Sequence, residues 1–241
     1  MLATITLIMN IKKSLTISSF NTRGATSNIL YIDQLCKSSD IVCLQEHHLF
    51  PHNASMLSTI STEYRTFLRC QSFIRNDGVA IRQGGLAIMW KAGINHTITK
   101  LHDVGNENVM GVHINHEDGN SIYLFNVYLP ATNHSFEEYI MCANTMSNIY
   151  DYYQNLGSVI FVGDLNTSLR TGNRSLPNIN DKRRSRFLQS FLDDNDLVSL
   201  VTRDICKGPL CTFNPLYGSG SQIDHIIIDN SNYLAGCTMR S

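Results

Sequence analysis

Short apolar runs that end abruptly in polar residues dominate the hydrophobic pattern of this chain. The clearest run, residues 158–162, is rich in β-branched side chains and predicts a strand buried on both faces. It ends in Gly163-Asp164-Leu165-Asn166, which places an acid and an amide on the same side of the strand's carboxyl end. Similar runs predict further strands at residues 15–20, 40–45, 85–90, 109–114, 122–127 and 222–228.

Helical spacing of apolar residues alternates with these strands. It predicts helices at residues 29–36 and 136–153, and a third helix capped by Asp181. No repeat, low-complexity segment or linker divides the chain. We therefore expect one α/β domain over residues 14–241, preceded by a lead segment, residues 1–13, which forms either a leading strand or a loose tail.

Composition narrows the class of protein without identifying it. With 43% hydrophobic and 16% charged residues, the composition of the 241-residue chain is typical of a globular protein with an ordinary hydrophobic core. A net charge of −1 provides no general attraction to nucleic acid or membrane, so an anionic substrate requires a local basic patch or a metal. No apolar run is long enough to span a bilayer. Seven cysteines without a CxxC pair favour reduced thiols, and hence a nuclear or cytoplasmic protein with no membrane partner.

Polar side chains recur where the predicted strands end or carry an acid. An Asp and an Asn at one strand end often do no more than begin a turn. Repetition at five strands instead indicates one shared site at a common rim. Acids and amides form a hard, oxygen-rich site that suits Mg²⁺, or Mn²⁺, better than zinc. The residues are Asn21, Glu46, Tyr128, Asp164, Asn166 and Asp224.

These motifs resemble the endonuclease/exonuclease/phosphatase superfamily, which includes DNase-I-like and apurinic/apyrimidinic nucleases. The resemblance covers residues 14–230 and is carried by Ser19-Phe20-Asn21, Cys43-Leu44-Gln45-Glu46, Asn126-Val127-Tyr128-Leu129-Pro130, Gly163-Asp164-Leu165-Asn166 and Ser221-Gln222-Ile223-Asp224-His225. It implies a four-layer α/β sandwich: two packed mixed sheets flanked by helices, with the site at one rim.

Further details look most like the endonuclease domain of non-LTR (LINE-type) retrotransposons. The matching pieces include Gly84-Gly85-Leu86-Ala87-Ile88 and Thr212-Phe213. The resemblance implies a monomeric domain that nicks DNA and leaves 3′-hydroxyl ends for a reverse transcriptase elsewhere in the element.

The resemblance also implies a role for each residue. Glu46 would bind the divalent metal, with Asn21 beside it. Asp164 would align or deprotonate the attacking water. The remaining roles are as follows: Asn166 would orient that acid and the phosphate, Tyr128 would hydrogen-bond a phosphate oxygen, and Asp224 would support a catalytic histidine.

The chain departs from the family's pattern in one respect. The histidine that Asp224 would support belongs to a C-terminal Ser-Asp-His motif, which is not found before residue 241. His225 is not its substitute, because strand alternation places Asp224 and His225 on opposite faces. We also expect the family's last strand to be missing, leaving a sheet position unpaired. Two alternatives therefore stay open: an inactive remnant that at most binds nucleic acid, and the same fold acting on another phosphoester.

A basic run at residues 182–186 lies next to the Asp164 loop in sequence. Such a run is usually a solvated helix face, but Arg183 and Arg184 are candidates for contact with the DNA backbone. Thr212 is a third candidate DNA contact, although a plain strand threonine is about as consistent with β propensity. His47 and His48 follow Glu46 and are interpreted as loop histidines rather than ligands.

Overall fold

The computed structural model describes most of the chain. The described residues are 2–10, 13–74, 77–78, 80–102, 104, 106–116, 119–169, 179–202, 206–207, 222–230 and 237–240.

The described residues form strands and helices in mixed order. The strands are β1 (Leu2–Asn10), β2 (Lys13–Asn21), β3 (Ile41–Gln45), β4 (Tyr64–Arg69), β5 (Ser72–Ile74), β6 (Ala80–Arg82), β7 (Leu86–Lys91), β8 (His96–Leu101), β9 (Val109–His116), β10 (Ser121–Tyr128), β11 (Ser158–Asp164), β12 (Leu197–Ser199), β13 (Cys206–Lys207), β14 (Asp224–Asp229) and β15 (Cys237–Arg240). The α-helices are α1 (Ile29–Ser38), α2 (Met56–Ile60), α3 (Phe136–Tyr153) and α4 (Ile179–Asp194).

Most strands belong to two mixed sheets. The first has the order β13-β15-β1-β2-β3-β7-β4, and the second has the order β12-β14-β11-β10-β9-β8. Each contains a parallel pair near its centre, β2 with β3 and β10 with β11. Because parallel neighbours end at the same edge of a sheet, these pairs bring four strand ends to one rim.

Three apolar clusters separate the layers. One lies between the sheets and is built from alternate residues such as Ile17, Cys43, Ile88, Leu124 and Val162. The second joins the outer face of the six-stranded sheet to α3 and α4. The third joins the outer face of the seven-stranded sheet to α1 and α2. This arrangement confirms the predicted sandwich of two packed mixed sheets flanked by helices.

The N-terminal residues form a strand rather than a loose tail. Strand β1 pairs antiparallel with β2 and with β15. Strand β2 is therefore paired on both sides, by β1 and by β3. The expected absence of the family's last strand stays a prediction. The domain boundary at residue 14 stays a prediction.

The two long helices differ in how they begin. Helix α3 begins with a capping box, in which the Ser135 side chain accepts from Glu138 N–H while the Glu138 carboxylate accepts from Ser135 N–H. Helix α4 begins at Ile179, so Asp181 lies in its first turn and the predicted N-cap position was wrong. The acid still faces the positive end of the helix dipole from there. Within the described residues no helix is long and apolar enough to cross a membrane.

Candidate active site

The candidate site is the polar end of the space between the two sheets. Along each central strand, alternate side chains face this space, and the apolar series ends in polar residues at the same rim. In β2, for example, Leu15 and Ile17 are followed on that face by Ser19 and Asn21. In β11, Ile160 and Val162 are followed by Asp164. The site residues that lie at this rim are Asn21, Glu46, Tyr128, Asp164, Asn166 and Asp224.

Backbone conformation at the rim is unusual, as is common at functional sites. Glu46 and Asn166 adopt the left-handed region, with φ of 51° and 46°. Gly163 has φ of 141°, and a Cβ there would lie 1.9 Å from the carbonyl oxygen of Val127. Only glycine therefore permits β10 and β11 to approach closely directly before Asp164.

Asn21 connects the two candidate carboxylates. Its Nδ2 donates to Glu46 Oε1 at 2.6 Å and to Asp164 Oδ2 at 2.8 Å. Its Oδ1 accepts from the backbone N–H of Arg23 at 3.1 Å. In this orientation Asn21 organises the carboxylates, and its direct ligation of a metal stays a prediction.

Glu46 is held ionised by its neighbours. Burial alone would raise its pKa, but hydrogen bonds from His48 and Asn21 offset this, and the Tyr128 hydroxyl adds another. The net result is a pKa below the usual value for glutamate. An ionised carboxylate at neutral pH is the form that binds a divalent cation.

Asp164 lies in a very different environment. Its side chain is 3% exposed, and Asp224 is its direct neighbour across the antiparallel β11–β14 pair. Burial raises the pKa of Asp164 to about 7, Asp224 and Glu46 add to the rise, and hydrogen bonds from Asn21 and from Asn166 N–H oppose it. A carboxyl group that titrates near neutral pH is suited to take a proton and return it.

Tyr128 faces both carboxylates from the end of β10. Burial raises the pKa of its phenol, and Glu46 and Asp164 raise it further. The hydroxyl therefore stays protonated and can donate a hydrogen bond to an anionic oxygen.

Asn166 contacts Asp164 through its backbone. Its N–H donates to Asp164 Oδ1 at 2.8 Å, and its side-chain Nδ2 donates to Leu129 O at 2.9 Å. The orientation of the acid is thus due to the main chain, and contact of the Asn166 side chain with phosphate stays a prediction.

His225 does not enter the site, as strand alternation predicted. One ring nitrogen lies 2.9 Å from Ser199 Oγ and the other lies 2.8 Å from Thr167 O. Burial lowers the pKa of His225 to about 4, so the ring is neutral. Its role in the described structure is to hold the segment that follows Asn166.

One arginine of the basic run is buried, whereas its neighbour Arg183 is exposed. Arg184 is 0% exposed, and its guanidinium donates to the carbonyls of Pro130, Ala131 and His134, each at 3.0 Å. The prediction of Arg184 as a DNA contact was wrong, because its side chain is fully buried and both terminal nitrogens donate to carbonyls inside the protein. Arg183 is exposed and lies 3.8 Å from the centre of the Phe136 ring, so it stays a candidate. Thr212 lies outside the described residues.

His48 is the residue that the sequence interpretation missed. Its Nε2 lies 3.3 Å from Glu46 Oε2. Both residues have positive φ, and the intervening His47 is fully buried, with Nε2 3.1 Å from Arg69 O. His47 is therefore a structural histidine, as interpreted, whereas His48 belongs to the site. Its sequence position, two residues after the acid, gave no sign of this difference.

The donor set fits a hard divalent cation. Magnesium keeps several waters and is usually held by only one or two protein carboxylates, a requirement that Glu46 and its neighbours meet. Within the described residues, no group of three or more His, Cys, Asp or Glu side chains is arranged to hold a metal.

Comparison with known proteins agrees with the fold. The sequence profile of the Endonuclease/Exonuclease/phosphatase family matches residues 18–237. No curated protein sequence gives a significant match.

Solved structures resemble this one at low sequence identity, which supports the fold alone. The catalytic domain of Xenopus laevis APE2 is 19% identical, with a TM-score of 0.66 over 89% of this chain and 82% of that one. The 3′ phosphatase NExo from Neisseria, bound to product DNA hairpin, is 16% identical, with a TM-score of 0.63 over 90% and 87%. The endonuclease domain of TRAS1, a telomere-specific non-LTR retrotransposon, is 17% identical, with a TM-score of 0.59 over 89% and 84%.

Proposed function

Because the chain belongs to the endonuclease/exonuclease/phosphatase family of phosphoester hydrolases, we propose that it is a divalent-metal-dependent phosphodiesterase that nicks DNA. The nick would leave 3′-hydroxyl ends, as the resemblance to retrotransposon endonucleases implies. The substrate would be DNA, the cofactor Mg²⁺ or Mn²⁺, and the partner in a complete element a reverse transcriptase. The DNA hairpin bound to the structurally similar NExo makes DNA the first substrate to test.

One observation carries the proposal. A single amide, Asn21 Nδ2, bridges an ionised carboxylate from one sheet and a carboxyl of near-neutral pKa from the other. Hydrolysis of a phosphodiester requires both a negative cation-binding group and a proton acceptor, within reach of the same phosphate.

The residues then divide the reaction between them. Glu46 would hold the magnesium ion, which when bound supplies positive charge to the phosphate oxygens. Asp164 takes the proton of the attacking water as the water oxygen bonds to phosphorus and the bond from phosphorus to the 3′ oxygen breaks. The leaving oxygen gains a proton from Asp164 or from solvent and becomes the 3′-hydroxyl. Asn21 and Asn166 N–H fix the direction of the Asp164 lone pairs. Tyr128 donates to a nonbridging phosphate oxygen as negative charge develops there.

A nicking assay on supercoiled plasmid tests the proposal. We expect open-circular product with magnesium and none with EDTA. Glu46→Gln and Asp164→Asn, which keep side-chain shape, should each lower the rate by roughly 10²- to 10⁴-fold. Glu137→Gln, an exposed acid on α3, is the matched control and should leave the rate unchanged. Extension of the nick by a DNA polymerase without prior end treatment would report the 3′-hydroxyl.

Three other results would redirect or end the proposal. Salt-sensitive DNA binding without turnover would favour the nucleic-acid-binding remnant. Release of phosphate from a 3′-phosphorylated or sugar-phosphate substrate, with intact plasmid, would favour another phosphoester. Nicking that persists in Glu46→Gln and Asp164→Asn would exclude this site as its source.

A further inference from the structure

Two buried amide side chains connect the sheets directly beneath the site. Gln45 at the end of β3 and Asn126 in β10 are both 0% exposed. Gln45 Nε2 donates to Asn126 Oδ1 at 2.6 Å and to Ser19 Oγ at 3.0 Å. Asn126 Nδ2 in turn donates to Leu44 O at 2.9 Å and Ala87 O at 3.0 Å. One side chain of the second sheet is thereby bonded to three points of the first.

The pair lies next to the catalytic groups in sequence. Gln45 directly precedes Glu46 and is the cross-strand neighbour of Asn21 in the β2–β3 pair. Asn126 is two residues before Tyr128, so the two side chains share one face of β10. The bonds therefore join the strand that carries the cation-binding acid to the strand that carries the phosphate donor.

Stability alone does not account for a polar pair at this position. The space between the sheets is otherwise filled mainly by apolar side chains, for example those of Ile17, Ile88 and Leu124. Gln45 Oε1 is buried and has no hydrogen-bond partner among the described residues. Leaving a buried acceptor unsatisfied is unfavourable, and an apolar pair of the same shape would avoid it. What the amides add is direction, because hydrogen bonds fix distance and angle where aliphatic contacts do not.

We propose that Gln45 and Asn126 are positioning residues that hold the two halves of the candidate active site in register. They set the separation between Glu46, on the seven-stranded sheet, and Tyr128 and Asp164, on the six-stranded sheet. The inference rests on the proposed function for its catalytic consequence and on the hydrogen bonds alone for its structural one.

The test replaces both amides by apolar residues of similar size, Gln45→Met with Asn126→Leu. The midpoint of urea unfolding should change little, because the unsatisfied Gln45 Oε1 is removed while the carbonyls of Leu44 and Ala87 lose a donor. The kcat for plasmid nicking should fall by roughly 10- to 100-fold, because misplacement by about 1 Å is sufficient for such a loss. The KM for DNA should change little. The affinity for Mn²⁺, followed by electron paramagnetic resonance, should weaken by roughly tenfold.

A readout without catalysis separates this inference from the proposed function. Backbone ¹⁵N relaxation dispersion should reveal new exchange at the Glu46 and Tyr128 amides of the double variant. Ser39→Ala, which removes the equally buried 2.6 Å contact between Ser18 and Ser39 hydroxyls, is the matched control and should show none. If the wild-type protein cleaves no phosphoester, the proposed function fails, and the exchange at these two amides still decides whether the pair positions the site.

Two results would overturn the inference. One is a double variant that keeps wild-type kcat, Mn²⁺ affinity and relaxation at both amides. The other, should the double variant not fold, concerns Ser19→Ala, which removes only one bond to Gln45. That variant should show a smaller change of the same kind, and wild-type behaviour in it would contradict a positioning role.

Discussion

At the residue scale, two acids of the site differ because their surroundings differ. Glu46 is partly exposed and receives donors from His48, Asn21 and Tyr128, which favour its charge. Asp164 is buried next to Asp224, which disfavours its charge. An ionised carboxylate and a carboxyl that titrates near neutral pH, the two groups that the proposed function requires, thus arise from chemically equivalent side chains.

The raised pKa of Asp164 predicts a gain in stability when it is replaced by asparagine. The unfolded carboxyl has a pKa of 3.8, whereas the folded one has a pKa of about 7. The folded state is therefore progressively disfavoured as pH rises from about 4 to about 7, and the penalty is constant above that. Asp164→Asn should raise the free energy of unfolding at pH 7.5 by about 2–4 kcal/mol and have little effect at pH 4.

Urea unfolding in EDTA at pH 4, 5.5 and 7.5 measures this difference. Asp151→Asn, an exposed acid on α3, is the control and should show no such growth with pH. A gain that is the same at all three pH values would contradict the assignment to ionisation.

The depressed pKa of His225 predicts the opposite dependence. Its unfolded pKa is 6.5 and its folded pKa is about 4, so the stability due to the neutral ring is present above pH 6.5 and is lost as pH falls towards 4. His225→Gln should be less stable than wild type at pH 7, because the bonds to Ser199 and Thr167 are weakened. The deficit should shrink by about 2–3 kcal/mol by pH 4. Thermal unfolding of both proteins across this range checks it, with the exposed His52→Gln as control.

At the element scale, α4 serves the site through a buried arginine. The Arg184 guanidinium lies 4.6 Å from the centre of the Tyr139 ring and bonds three carbonyls in the segment that follows Tyr128. A helix on the outside of the sandwich thereby fixes the loop next to Tyr128, the residue that we propose donates to the phosphate.

Substitution of the two neighbouring arginines of α4 should affect stability and DNA binding differently. Arg184→Met leaves three carbonyls without their donor and should lower the free energy of unfolding by about 2–4 kcal/mol. Arg183→Met should change the free energy of unfolding by less than about 1 kcal/mol, since the Arg183 side chain is itself exposed where it lies over the half-buried Phe136 ring. If Arg183 contacts DNA, its loss should reduce the slope of log affinity against log salt by about one, while Arg184→Met leaves the slope unchanged. The reverse result would contradict the burial of Arg184.

The burial of each strand explains whether the sequence could predict it. Strands β3, β7, β10 and β11 are buried on both faces, so their apolar runs are unmistakable. Strands β4 and β8 were not predicted. They are edge strands with partly exposed side chains, and their conformation depends on partners distant in sequence.

At the scale of the whole molecule, the strand ends made the site predictable. The apolar runs gave the position of each polar residue on its strand, and the motif order indicated one shared rim. Contacts across the sheets could not be obtained in this way. Three features depend on how distant segments pack together, which no local sequence pattern predicts. They are the approach of His48 to Glu46, the burial of Arg184 and the Gln45–Asn126 hydrogen bond.

The bridge from Asn21 to Asp164 spans 143 positions of the chain and joins one sheet to the other. A contact between residues so far apart in sequence requires closure of a long loop, so we expect it to form late in folding. During refolding, secondary structure seen by circular dichroism should therefore return before competence to hydrolyse substrate. Competence should instead follow the fluorescence of Trp90, the single tryptophan, which is buried between the sheets. Stopped-flow refolding with samples withdrawn into a nicking assay would time the three events, and activity that precedes the change at Trp90 would contradict this order.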